Sequence, residues 1–228
     1  MSALRPSLRR DACFTGLFYL GLGLTGGAVF MAVRPQLFAE DDPVQTLANL
    51  TGQEGLARVG IALELGSAIF QALTAVWFAK LFSHIDRHAA SVVALFGMVN
   101  AIATLASSVM LRAALDTALG HSSADPAISH LFVLTSHHFW AAGAIFFGLW
   151  LIPMGWIVLK GRFGPRPLGW ILILGGIGYV ASVFIAVLAP HAGAWIGLLT
   201  IPPTIGEFWM IGLLFWKGLR RTSKYDQK

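Results

Sequence analysis

Six stretches of this chain, at about 12–33, 57–79, 89–115, 136–159, 168–189 and 194–217, are almost continuously apolar. Each is long enough to cross a hydrocarbon core, which needs about 20 such residues. Lipid cannot satisfy backbone N–H and C=O groups, so every span must be helical. The expected fold is therefore all-α: a polytopic membrane protein, one integral domain over residues 1–228, built as a bundle of six transmembrane helices. Only 12% of the 228 residues are charged and 56% are hydrophobic, against about 25% charged in soluble domains. Nothing is left over for a sizeable soluble domain.

The few charges are unevenly placed. Arg5, Arg9 and Arg10 precede the first span, Lys80 and Arg87 lie between the second and third, and Lys160, Arg162 and Arg166 lie between the fourth and fifth. Lys217, Arg220, Arg221, Lys224 and Lys228 end the last span and follow it. Only Arg34, Arg58 and Arg112 remain for the opposite side. By the positive-inside rule both termini are cytoplasmic, in a cytoplasmic (inner) membrane. The net charge of +5 is then a topology signal and a contact for anionic lipid, not a nucleic-acid footprint. Cys13 is the single cysteine, which excludes an intrachain disulfide and a CxxC pair. The run from Ala12 to Val33 exceeds the about 7–15 residues of a signal-peptide core and reads as a retained first helix.

Polar residues fall on consistent faces of these helices. In the second span Glu64, Ser67, Gln71 and Thr74 make one stripe. In the third, Asn100, Thr104, Ser108 and Arg112 recur every four residues; in the sixth, Thr200, Thr204 and Glu207 share a face. Such faces are costly against lipid and must look into the bundle or a water-filled cavity. Glu64 lies about 10 Å inside the outer edge, at 1.5 Å per residue from Ala57. A carboxylate at that depth needs a partner, and the expected partners of Glu64 and Glu207 are Arg112, Arg58 or a histidine. His137 and His138 open the fourth span but point about 100° apart, so only one can face a small site. His84 and His88 have the i, i+4 spacing of metal ligands yet sit in a short loop beside Asp86, without further ligands. His121, His130 and His191 read as loop histidines. Pro202-Pro203 removes the N–H groups that would bond the carbonyls of Leu198 and Leu199, so the sixth helix should be kinked or broken. Close helix approach is expected at Gly23 and Gly27, at Gly175, Gly176 and Gly178, and at Gly193 and Gly197. Trp156, Trp170, Trp195 and Trp216 read as interfacial anchors.

The second half carries a fuller pattern. The segments Ile145-Phe146-Phe147-Gly148-Leu149, Gly161-Arg162-Phe163, Arg166-Pro167-Leu168-Gly169, Gly175-Gly176-Ile177-Gly178-Tyr179, and Pro203 with Gly206-Glu207 follow one another. With Arg58-Val59-Gly60 as an Arg-x-Gly opening, the chain resembles the bacterial integral-membrane domain-of-unknown-function 4386 family over roughly 10–218. The resemblance implies a six-helix bacterial membrane protein and no assigned activity. The family pattern has an Asp in the second helix where this chain has Glu64, and the resemblance gives His137 and His138 no role.

The expected site is an extracytoplasmic polar pocket. Glu64, Glu207 and His138 are its candidate acid–base groups, and Arg58, Ser67, Gln71, Asn100, Arg112 and Thr204 its candidate ligand-binding groups. His137, His138 and Glu64 are candidate metal ligands, and two membrane histidines could also ligate haem. Three functions stay open: a protein binding a small or lipid-soluble molecule, acting as a metal- or cofactor-dependent enzyme; a small transporter or channel along the polar seam; and a non-catalytic lipid- or partner-binding module. Whether the chain is an enzyme, and its oligomeric state, stay open. Its expected partners are the bilayer and a small lipophilic ligand, without nucleic acid.

Overall fold

A computed structural model describes residues 6–120, 125–189, 191 and 193–220, without the side chains of residues 6 and 193–195. Expectations for Arg5, His121, Trp195, Arg221, Lys224 and Lys228, and for side-chain packing at Gly193, lie outside this description. The described residues are almost all helical, joined by short turns, and contain no strand. The elements are α1 (Pro6–Ala28), a π-helical turn (Val29–Val33), α2 (Arg34–Leu37), α3 (Pro43–Gly52), α4 (Glu54–Phe82), α5 (Arg87–Ala118), α6 (Pro126–Lys160), α7 (Arg166–Leu188) and α8 (Gly193–Leu219). Six helical segments are long and apolar enough to cross a membrane: Ser7–Leu37, Glu54–Phe82, Arg87–Ala118, Pro126–Lys160, Arg166–Leu188 and Ile196–Leu219. The protein is a multi-pass membrane protein, as its sequence requires.

The first quarter of the chain differs from the sequence reading in two places. The first span does not stop at Val33 but continues, through the π turn, to Leu37. The segment after it is not a plain loop, because α3 forms there. Pro43 at its first turn is pre-set for a helix, and the Asp42 side chain caps it by accepting from the Gln45 N–H at 2.8 Å.

The chain packs as two compact units. One contains residues 21–71 and 99–143; the other contains 1–20, 72–98 and 144–228. In the 21–71/99–143 unit, Val33, Leu37 and Leu50 pack with Ala57 and Ile61 of α4, Leu111 and Leu115 of α5, and Val133 of α6. Thr46 of α3 is buried, and its hydroxyl lies 3.1 Å from His130 Nδ1 on α6. The close glycines of α1 here are Gly21 and Gly26, against Phe70 and Ser67, while Gly23 and Gly27 face open space.

The other unit is built on aromatic rings. Tyr19, Phe78 and Trp150 meet edge to face with centroids 5.5–5.9 Å apart, and Phe147 links Trp150 to Tyr179. Such contacts add about 0.5–1.5 kcal/mol each beyond area burial. Helices α7 and α8 pack closely at Gly175 and Gly178, two of the glycines expected to do so; Gly176 instead meets Gly148 of α6, and Gly197 has nothing within 4 Å. A Cβ on Gly175 would stand 2.8 Å from Pro203 Cα, and one on Gly178 would stand 2.9 Å from the Leu199 carbonyl oxygen. That carbonyl is one that Pro203 frees. Of the two expectations for this helix, kinked or broken, the break does not form: α8 is continuous through Pro202 and Pro203. Arg9 covers the last carbonyls of α8, its Nε donating to Gly218 O at 3.3 Å. Cys13 packs, half-buried, against Gly218.

Candidate functional site

The polar faces predicted on α4 and α5 turn inward. In the 21–71/99–143 unit Glu64, Ser67, Gln71, Asn100, Thr104, Ser107 and Ser108 are all buried. Their centre is an ion pair the sequence reading did not foresee. Arg34 Nη2 donates to Glu64 Oε1 at 2.7 Å, with Glu64 wholly inaccessible and the Arg34 side chain 10% exposed. The same Nη2 lies 2.6 Å from Ser107 Oγ and 3.1 Å from Ser136 Oγ, so its two hydrogens serve three acceptors. Ser107 in turn donates to Glu64 Oε2 at 3.0 Å. Four residues from the end of the first span and from α4, α5 and α6 thus converge. Stripping water from two ions costs several kcal/mol each, and only good geometry with added hydrogen bonds offsets that; this cluster has both.

Local structure explains how Arg34 arrives there. Its backbone N–H bonds the Val29 carbonyl, five residues back, closing the π turn. A π turn acts as a one-residue insertion and rotates the helix beyond it by about 100°. Val29 and Val33 are buried while Phe30 and Met31 are exposed, and Arg34 comes round to the inside. The guanidinium then stacks over Trp140 of α6 at 5.0 Å from the ring centroid. Its Nε is buried and has no acceptor. Two turns along α4 from Glu64, Gln71 Oε1 accepts from Asn100 Nδ2 at 3.2 Å, and Gln71 Nε2 is a second buried donor without an acceptor.

The other predicted residues go elsewhere. Arg58 pairs with Glu54 at 2.6 Å and Arg112 with Asp116 at 2.8 Å, both exposed i, i+4 pairs on their own helices. Neither reaches a buried glutamate. Six residues separate Arg58 from Glu64, which places them about 120° apart around α4, and three four-residue steps carry Arg112 about 120° from Asn100. His138 is exposed; His137 is half-buried, its ring 5.6 Å from that of Phe38. Among the described residues no three His, Cys, Asp or Glu side chains form a group that could hold a metal, so His137, His138 and Glu64 do not gather as one. His84, His88 and His191 are exposed.

Glu207 belongs to the aromatic unit, where Tyr19 Oη donates to its Oε1 at 2.6 Å. No Lys or Arg among the described residues pairs with it. Thr204 is exposed, and its hydroxyl donates to its own helix at Thr200 O. Glu64 thus belongs to the 21–71/99–143 unit and Glu207 to the other.

A family model described as "Domain of unknown function (DUF4386)" matches residues 14–218. The chain belongs to that family. No curated protein and no solved structure gives a match. The DUF4386 match covers every residue of the Arg34 cluster and both glutamates, so the buried ion pair lies inside the family domain.

Proposed function

We propose that the 21–71/99–143 unit is a membrane-embedded binding site for a small, lipid-soluble molecule bearing hydrogen-bond-accepting oxygen. The Nε of Arg34 carries this reading: a buried guanidinium N–H, fixed by Glu64, Ser107 and Ser136, that has nothing to donate to. Leaving such a group unmet costs about 1–3 kcal/mol. Gln71 Nε2 extends the same chemistry along α4. Arg34 Nε and Gln71 Nε2 are both donors, which suit a carbonyl, carboxylate or phosphate oxygen; a metal cation or haem iron requires lone pairs instead. The concentration of Lys and Arg on one side supports a cytoplasmic membrane location with both termini inside, which puts the Arg34 cluster toward the outer face. Binding is the function proposed, and no reaction is assigned to Glu64.

The buried polar face from Glu64 through Gln71, with Asn100 and Thr104 on α5, favours passage along the seam as a second reading. The test is mass spectrometry of small molecules that copurify with the full chain and with Arg34→Lys, which keeps the charge but lacks Nε. A molecule bound to the parent and lost from a folded Arg34→Lys variant is expected. An equal yield from both, or no bound molecule in the parent, would overturn the proposal. Flux of the identified molecule into proteoliposomes then separates passage from binding.

A further inference from the structure

The turn joining α6 to α7, residues 161–165, borders a hollow of ≈570 Å³ lined by Val158, Leu159, Gly161, Arg162, Gly164, Pro165 and Arg166. We infer that this hollow seats the phosphate headgroup of an anionic phospholipid. Its lining residues all belong to the aromatic unit, and the inference does not rest on the function proposed above.

Three observations carry it. First, the two arginines of the lining are uncommitted. The neighbouring Lys160 is neutralised by Asp86 at 2.7 Å, whereas Arg162 and Arg166 are exposed and neither pairs with an acid among the described residues. Lys217, buried with its ammonium 4.5 Å from the Phe163 ring centroid, adds a third cation behind the turn that pairs with no acid among the described residues. Second, Arg162 has φ 48°, the left-handed region in which a glycine would sit without cost. Its side chain is thus held at the hollow's edge by a backbone conformation that its own Cβ disfavours. Third, the hollow sits at headgroup level. The spans end at Lys160 and resume at Arg166, and the half-exposed indoles of Trp156 and Trp170 lie within two turns of these ends, as that of Trp216 does of the end of its own span at Leu219. Tryptophan concentrates at membrane–water interfaces, where its ring bridges apolar and wet layers. A phosphate at this depth meets both guanidinium groups and the positive end of α7, while its acyl chains lie along the exposed Leu174 and Ile177.

The test is native mass spectrometry of the full chain released from nanodiscs containing equal parts phosphatidylglycerol and phosphatidylcholine. Phosphatidylglycerol is expected to stay bound in preference. The Arg162→Gln/Arg166→Gln variant should hold it about thirty-fold more weakly, each basic residue contributing about five- to sixfold. Arg162→Gly keeps the proposal falsifiable if the double variant fails to fold: it should melt no lower than the parent yet hold phosphatidylglycerol about five- to sixfold more weakly. Equal retention of the two lipids by the parent, or undiminished phosphatidylglycerol on a folded variant, would overturn the inference. Displacement by an equal concentration of inorganic phosphate would also overturn it, because the site would then take free phosphate and not lipid.

Discussion

Glu64 and Glu207 both lie in membrane-spanning helices, Glu64 buried and Glu207 half-buried, yet their surroundings share almost nothing. Glu64 has a guanidinium at 2.7 Å, a serine hydroxyl on its other oxygen, and a second serine behind the arginine. Glu207 has one phenol at 2.6 Å and aromatic rings beyond it. The first environment is built around charge. The second asks only for an acceptor oxygen of the right shape. In a medium without water this decides which glutamate can lose its charge without penalty.

The largest expected effect comes from breaking the charged centre. Glu64→Gln leaves Arg34 buried without its counter-charge and should cost about 3–5 kcal/mol, read as loss of thermal stability in detergent. Arg34→Met should cost a similar amount, while the Arg34→Met/Glu64→Met double variant should recover most of the loss, because a well-packed apolar pair replaces two ions. Purely additive losses would mean that the two side chains do not act as a pair. On the other side of the comparison, Tyr19→Phe should cost about 1 kcal/mol for one hydrogen bond, and Glu207→Gln no more, since the amide oxygen still accepts from Tyr19. A Glu207→Gln loss as large as that of Glu64→Gln would erase the distinction. Arg58→Gln and Arg112→Gln touch only exposed i, i+4 pairs and should shift stability by no more than about 0.5 kcal/mol each.

The smallest effect concerns Asp86. Its hydrogen bond from Lys160, then one from the Ala89 N–H, lowers its pKa from the ordinary 3.8 to about 2. The folded-state value is depressed, so the stabilisation is present above the ordinary carboxylate range and is lost as pH falls from about 4 toward about 2. Carboxyl carbon NMR should find the midpoint near 2 and move it upward in Lys160→Gln. An unmoved midpoint would show that the bond does not form.

The fold was legible because lipid leaves a chain so few options: six apolar runs dictate six helices. The inward face of α4 was legible too, because Glu64, Ser67 and Gln71 recur with helical spacing and all are buried. On α5 the same reasoning went astray at one residue. A four-residue repeat drifts about 40° per step, so Arg112 rotates out while Ser107, seven residues from Asn100 and within about 20° of it, points in. Ser107 could have been found by strict angular bookkeeping. Arg34 could not. Its position depends on a π turn that adds a residue to the helix, and no spacing rule anticipates that turn. The hint present was Arg34-Pro35 directly after the apolar run, which is compatible with one more helical turn. Ser136 stands beside two histidines that drew attention to themselves, yet it is the serine that is buried.

The central claim is that Arg34 donates its free Nε–H to a bound molecule. Arginine Nε-labelled protein, observed by NMR before and after lipid extraction and with Arg34 assigned through Arg34→Lys, addresses this directly. The Arg34 signal should shift when the bound molecule is removed, while those of Arg58 and Arg112 stay in place. An Arg34 signal indifferent to extraction would contradict the account and leave the buried ion pair with a structural role alone.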